Sequence, residues 1–115
     1  MLVMSDVLRG YTETIILSQL VNGDNYGYSI NKNIQKITNN DLELKDGTLY
    51  TAFKRLEKEG LITSYWGEKD VGARRRYYSI TTLGMHIYKE NVEDFLRANN
   101  HMKNLLKPQI IDYRL

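Results

Sequence analysis

The chain has 115 residues, a formal net charge of +2 and no cysteine, which fits one domain with a modest core and excludes disulfides and thiolate chemistry. No apolar run approaches the ~18 residues of a membrane span. The opening MLVMSDVLRG has neither the basic nor the apolar region of a signal peptide, so the expected setting is the cytoplasm, with no membrane partner.

From Ser5 to Leu20, Leu8, Tyr11, Ile15, Ile16 and Leu20 keep helical spacing. Ser5 or Asp6 is the expected cap, and Asn22-Gly23-Asp24 ends the helix with turn chemistry. Val7, Tyr11 and Thr14 form a second apolar or small face, as in a helix that touches two partners. A second helix is expected from about Tyr26 to Ile37, capped by Asp24 or Asn25. Its core face is Ile30, Ile34 and Ile37, and Lys32, Asn33 and Lys36 face outward. Thr38 to Asp41 breaks it, and Leu42-Glu43-Leu44 is a short extended link.

The segment DGTLYTAFKRLEKEG, Asp46 to Gly60, organises the rest. Leu49, Ala52, Phe53 and Leu56 fall at i, i+3, i+4 and i+7, with Asp46 placed to cap and Gly60 to end the helix. Thr48, Thr51, Lys54, Arg55 and Lys58 project away from that stripe, and Tyr50 lies at its margin. An ordinary solvated helix face would look similar. Yet hydroxyls and cations together suit a nucleic-acid groove, where cations meet phosphates and short polar groups reach base edges. The second and third helices, joined by a short polar link, make a helix-turn-helix whose later helix reads the groove.

After Gly60 the period changes to two. Leu61 to Trp66 and Arg76 to Thr81 are β-rich runs around a polar tip with two glycines, which predicts a hairpin, the wing of a winged helix. Lys69 lies at the tip, and Arg74, Arg75 and Arg76 enter the return strand, where a phosphate backbone or minor groove is expected. Edge-strand charge against aggregation is the alternative and would explain one or two of these cations; three in a row beside a candidate reading helix favour binding. From Lys45 to Arg76 there are eight Lys/Arg against five Asp/Glu, so the small net charge hides a basic segment that begins with Lys45 itself. Nine tyrosines against two phenylalanines suit half-wet positions, where the ring packs and the hydroxyl meets a phosphate, ligand or water.

Helical period returns from Thr82 to about Lys107 and is stopped by Pro108. Tyr88, Val92, Phe95, Asn99, Met102 and Leu106 step by four, three, four, three, four, a heptad seam. Little remains in so small a chain to cover it, so pairing with its copy and with the partner's first helix in a two-fold dimer is expected, with Asn99 setting the register; packing back on its own domain is the alternative. His86 and His101 have no cysteine or acidic partner at metal-ligand spacing, and Glu57 and Glu59 lie on different helix faces. No phosphate loop or nucleophile elbow is present, so neither an enzyme nor a cofactor or metal is expected.

Several of these residues occur in an order that resembles the PadR-type transcriptional regulators. They are Tyr26-Gly27-Tyr28 with Ile30, Gly47 to Tyr50, Leu56 to Ile62, Ser64 and Trp66, Arg74 to Tyr78, and Ile80-Thr81 with Gly84. The single terminal helix is similar to the compact subgroup that includes regulators of multidrug transporters. The resemblance implies a homodimer binding inverted-repeat, palindromic double-stranded DNA and repressing neighbouring genes. It places Thr48, Tyr50, Thr51, Lys54 and Arg55 on the reading helix, Arg74 to Arg76 on the wing, and Tyr26 and Tyr28 near phosphates. It also implies a flat apolar pore for a small apolar or aromatic effector, lined by Tyr11, Thr14, Asn91, Phe95 and Asn99. A tryptophan is frequent where Phe95 stands, and a Gly-Gly-Arg type sequence where Val71-Gly72-Ala73 stands.

The expected architecture is mostly α with a small β-hairpin (α+β). A winged helix-turn-helix unit spans 1–81, a dimerisation helix 82–107 and a tail 108–115, together one compact unit. The alternatives are a winged-helix protein-interaction or architectural module without an operator, and a ligand sensor that makes no DNA contact. The last leaves the cations without a role.

Overall fold

The computed structural model describes residues 2–3, 9–68 and 74–106. A two-residue strand at Leu2–Val3 (β1) precedes a 3-10 turn at Arg9–Tyr11 and helix α1 at Thr12–Ser18. Strand β2 (Asn25–Tyr26) leads into helix α2 (Gly27–Ile37), and β3 (Leu42–Glu43) into helix α3 (Asp46–Lys58). The hairpin β4 (Ile62–Trp66) and β5 (Arg76–Ile80) follows, then helix α4 (Thr82–Leu106). The fold is therefore mostly helical with a small three-stranded antiparallel sheet of order β2-β5-β4, the helix-turn-helix and wing expected from the periodicities.

The core forms where the apolar stripes converge. Ile16, Leu17 and Leu20 meet Ile30 and Ile34 of α2, Leu49, Ala52, Phe53 and Leu56 of α3, and Ile62 and Tyr78 of the hairpin. Phe53 lies flat on Tyr78, ring centroids 3.8 Å apart, so α3 is stacked directly on β5. Asn31 ties the turn together: its amide donates to Leu44 O (2.7 Å), and its carbonyl accepts from Leu44 N (2.9 Å). Both polar backbone groups of a buried residue are thereby satisfied.

Several local expectations are corrected. α1 ends at Ser18, not Leu20: Gln19 N and Leu20 N bond the Ile16 and Leu17 carbonyls, a tightened i,i+3 exit. Its start at Ser5 or Asp6, with Val7 and Leu8, lies outside the described residues, as do Lys69, Val71 to Ala73 and Pro108. Asp46 does not cap α3. It is the first helical residue, and Lys45 precedes it with no side-chain cap bond. Asp46 still places a negative charge in the first turn, where the helix dipole favours it. α2 likewise starts after Tyr26 without a side-chain cap, while Asn25 Oδ1 accepts from Tyr26 N (2.9 Å). Ile37 is 70% exposed, because α2 stops there and Asn39 and Asn40 turn away with φ of 52° and 64°. Asn33 is half-buried rather than turned outward.

β1 and β2 carry no sequence signal. β1 pairs in parallel with β3, and β2 adds to the hairpin through Tyr26 opposite Tyr77. Two residues are too few for any period to register. Gly60 adopts φ +76°, ending α3 in the left-handed conformation. The root of α4 is then fastened to the same point: the Thr81 hydroxyl donates to Gly60 O (2.8 Å) and accepts from Gly84 N (2.9 Å). Gly84 sits so close to the chain that a Cβ there would meet Leu61 O at 2.1 Å.

Candidate nucleic-acid interface

The helical period of α3 separates its buried side from its outward face. Thr51, Lys54, Arg55 and Lys58 are exposed, and Thr48 is half-buried. Lys45, Thr48, Thr51 and Arg55 line one wall of a groove of about 640 Å³, with Arg9, Thr12 and Glu13 opposite. Arg55 Nη1 is 3.6 Å from Glu13 Oε2, while Glu13 Oε1 is buried without a hydrogen-bond partner among the described residues. Tyr50 leans the other way. It shares a second hollow, about 330 Å³, with Gly27, Tyr28 and Lys32, and a Cβ at Gly27 would crowd its hydroxyl at 3.1 Å. Tyr28 is 67% exposed, with the Lys32 ammonium 5.4 Å from its ring centroid. Lys54 and Lys58 line neither hollow.

The wing meets α3 through Glu57. Its Oε2 accepts from the Ser64 hydroxyl (2.8 Å) and lies 4.0 Å from Arg76 Nη2, which joins a hairpin cation to the helix bearing Lys54, Arg55 and Lys58. On sequence alone, Glu57 stands only beside Glu59, on a different helix face. No sequence signal reports that a helix residue will meet a strand residue seven positions on. Arg74, Arg75 and Arg76 are all exposed. Tyr26, expected near phosphates, is half-buried under Arg75 (4.8 Å to the ring centroid) and set edge-on to Tyr77 (5.3 Å). Tyr65 stacks on the other side of this aromatic group, 5.7 Å from Tyr77, and donates its hydroxyl to Asp24 at 2.5 Å. That bond to a carboxylate holds the Tyr65 phenol above its usual pKa, and burial raises Tyr78 likewise.

The residues expected around an effector partly converge. Tyr11, Thr14 and Phe95 line an apolar groove of about 270 Å³ with Ile15, Ser18, Tyr88 and Val92. Tyr11 and Phe95 meet edge to face at 5.3 Å, and the Asn91 amide donates to Thr14 Oγ1 at 3.1 Å. Asn99 lines neither this groove nor the neighbouring one of about 300 Å³ that includes Asn91. From Glu93 to Leu106 every residue of α4 is exposed, among them Phe95, Leu96, Asn99, Met102 and Leu106. His86 pairs with Glu90 (3.1 Å), and among the described residues no acidic, His or Cys group is placed to hold a metal. Nor is any helix there long and apolar enough to cross a membrane.

Comparison with known proteins agrees with this geometry. A transcriptional regulator from Clostridium thermocellum is 48% identical, covers 87% of this chain and 94% of its own, and superposes with a TM-score of 0.80. A PadR family transcription regulator from Clostridium difficile R20291 is 34% identical, covering 84% and 99%, with a TM-score of 0.74. An uncharacterised protein of Lysinibacillus sphaericus is 42% identical over 94 residues, 82% of this chain and 86% of that one. These relatives are transcription regulators where a role is named, which sets the chain apart from enzymes. With residues 16–90 matching its pattern, the chain belongs to the transcriptional regulator PadR-like family.

Proposed function

We propose that this regulator is a homodimeric repressor that binds a palindromic operator in double-stranded DNA, α3 entering the major groove and the wing gripping the flanking backbone. The observation that carries this reading is the Arg76–Glu57 contact. It draws the arginine-bearing hairpin against the cationic face of α3, so one approach to a duplex engages both. Tyr28, Lys45, Thr48, Tyr50, Thr51, Lys54, Arg55 and Lys58 supply contacts from the helices, and Arg74 to Arg76 supply them from the wing.

The uncovered apolar half of α4 supports the dimer. Phe95, Met102 and Leu106, continuing the line of Tyr88 and Val92, would be buried against a second copy, with Asn99 among them. Two reading helices held about 34 Å apart would then meet successive major-groove segments. The apolar groove of Tyr11, Thr14 and Phe95 opens on the same side of α4 and suits a small aromatic effector. Such an effector releases DNA only by its difference in affinity for the two dimer geometries.

Gel-shift and footprinting against the chain's own upstream region test the reading. The expected result is a symmetric protected patch, bound far more tightly than random duplex at ~0.15 M salt. Equal affinity for both would leave a winged-helix interaction or architectural module instead.

A further inference from the structure

A strand alternates its side chains, so three consecutive arginines cannot share one face of a hairpin. Arg75 lies over Tyr26, on the face that also carries Tyr65 and Tyr77. Arg74 and Arg76 both lie over the indole of Trp66, at 5.8 and 5.3 Å to the ring centroid. Trp66 stands directly opposite Arg76 in the β4–β5 register and is 53% exposed, so core packing does not account for so large an apolar ring. Each of its two guanidinium groups also has a second anchor. Arg74 Nε donates to Gly67 O at 3.3 Å, and Arg76 approaches Glu57 at 4.0 Å.

The geometry points to Trp66 as a positioning residue of the DNA interface, one that orients Arg74 and Arg76 as a fixed pair without itself meeting the phosphates. This rests on the DNA-binding reading above. Two like charges on one hairpin face repel, and a long arginine left to itself samples many rotamers. The electron-rich indole face, the strongest such partner among side chains, attracts both cations and narrows their orientations before DNA arrives. Each guanidinium has five N–H donors, so anchoring one or two leaves the others for phosphate oxygens. Arg75, on the opposite face, depends on Tyr26 and is independent of Trp66.

The test compares Trp66→Leu, which keeps apolar volume, with Trp66→Phe, which keeps a ring, using labelled duplex from the upstream region over a range of salt. Thermal unfolding of each variant is followed in parallel. Trp66→Leu should bind roughly 3- to 10-fold more weakly, the size of one or two exposed cation–π contacts, and Trp66→Phe should recover most of that. Adding Arg76→Ala to Trp66→Leu should cost less than Arg76→Ala alone, while Arg75→Ala should cost the same in either background. Binding by Trp66→Leu equal to the parent overturns the proposal, as does identical coupling of Arg75 and Arg76 to Trp66. So does a loss shared equally by Leu and Phe that follows a fall in melting temperature. A parent protein with no salt-dependent affinity for duplex removes the DNA-binding reading and this role with it. Failure of the variants alone removes only the role of Trp66.

Discussion

Arg55 of α3 reaches back to Glu13 of α1 across 3.6 Å, so a cation on the face proposed to read DNA is partly neutralised by the first helix. Arg55 remains 60% exposed, and an ion pair this open contributes only ~0–1 kcal/mol. The pair therefore yields easily to a phosphate. Glu13→Gln should raise affinity for all duplexes by roughly 2- to 5-fold and change folding stability by less than about 1 kcal/mol. Electrophoretic titration with parallel urea unfolding measures both. Weaker binding would mean that Glu13 aims Arg55 at DNA.

The wing and the helix should fail differently. Replacing Arg75 and Arg76 together with alanine removes phosphate contacts and should weaken binding to every sequence, flattening the salt slope by roughly one to two units. Replacing Thr51 or Lys54 should instead change which operator variants are preferred. Comparing logarithmic salt plots with selection from a randomised operator separates the two. An unchanged slope in the arginine variant would take the wing out of the mechanism.

The proposed dimer is tested at the terminal helix. Phe95 and Met102 are 41% and 49% exposed within one chain, so Phe95→Glu with Met102→Glu should leave the winged domain folded. It should give a monomer in sedimentation and lower operator affinity by roughly 100-fold or more, since the second half-site is no longer tethered to the first. A variant that stays dimeric would place the interface elsewhere.

Alkaline pH should loosen the wing. Hydrogen bonding to Asp24 raises the Tyr65 phenol, and burial raises Tyr78, so the folded chain holds these protons more tightly than the unfolded one. Their contribution is fully present below the ordinary tyrosine value of about 10 and is lost as pH climbs through the raised folded values. Tyr65→Phe should therefore flatten the stability profile above about pH 10, leaving the part due to Tyr78. Unfolding followed over that range, with phenolate absorbance recorded alongside, checks it. The same slope in Tyr65→Phe would mean that Asp24 leaves the phenol unperturbed.

What the sequence disclosed follows from how far each signal reaches. Leu49, Ala52, Phe53 and Leu56 announce α3 because a buried stripe repeats within one helix, and all four are buried. The hairpin shows through the change of period after Gly60, and the reading of α4 extends to Leu106. The expected caps, Asp46 for α3 and Asp24 or Asn25 for α2, differ from the structure, since which residue stands just outside a helix depends on the entering chain, not on composition. Ile37 continues an apolar period past the point where its helix has neighbours. Contacts between distant elements left no trace. Glu13 with Arg55, Asp24 with Tyr65 and Glu57 with Ser64 each needed the fold before they could be named.

The junction at Thr81 and Gly84 bears on how such a protein could be switched. There the end of α3, the first wing strand and the root of α4, the long arm, converge on one backbone knot, with no room for even a methyl group at Gly84. In the proposed dimer, arm and prong would then swing together, like the two limbs of a bell crank. A small tilt where two arms cross would reappear, magnified by the lever's length, as a changed span between the prongs. Control of this regulator would lie at that crossing and not in any bending of the limb.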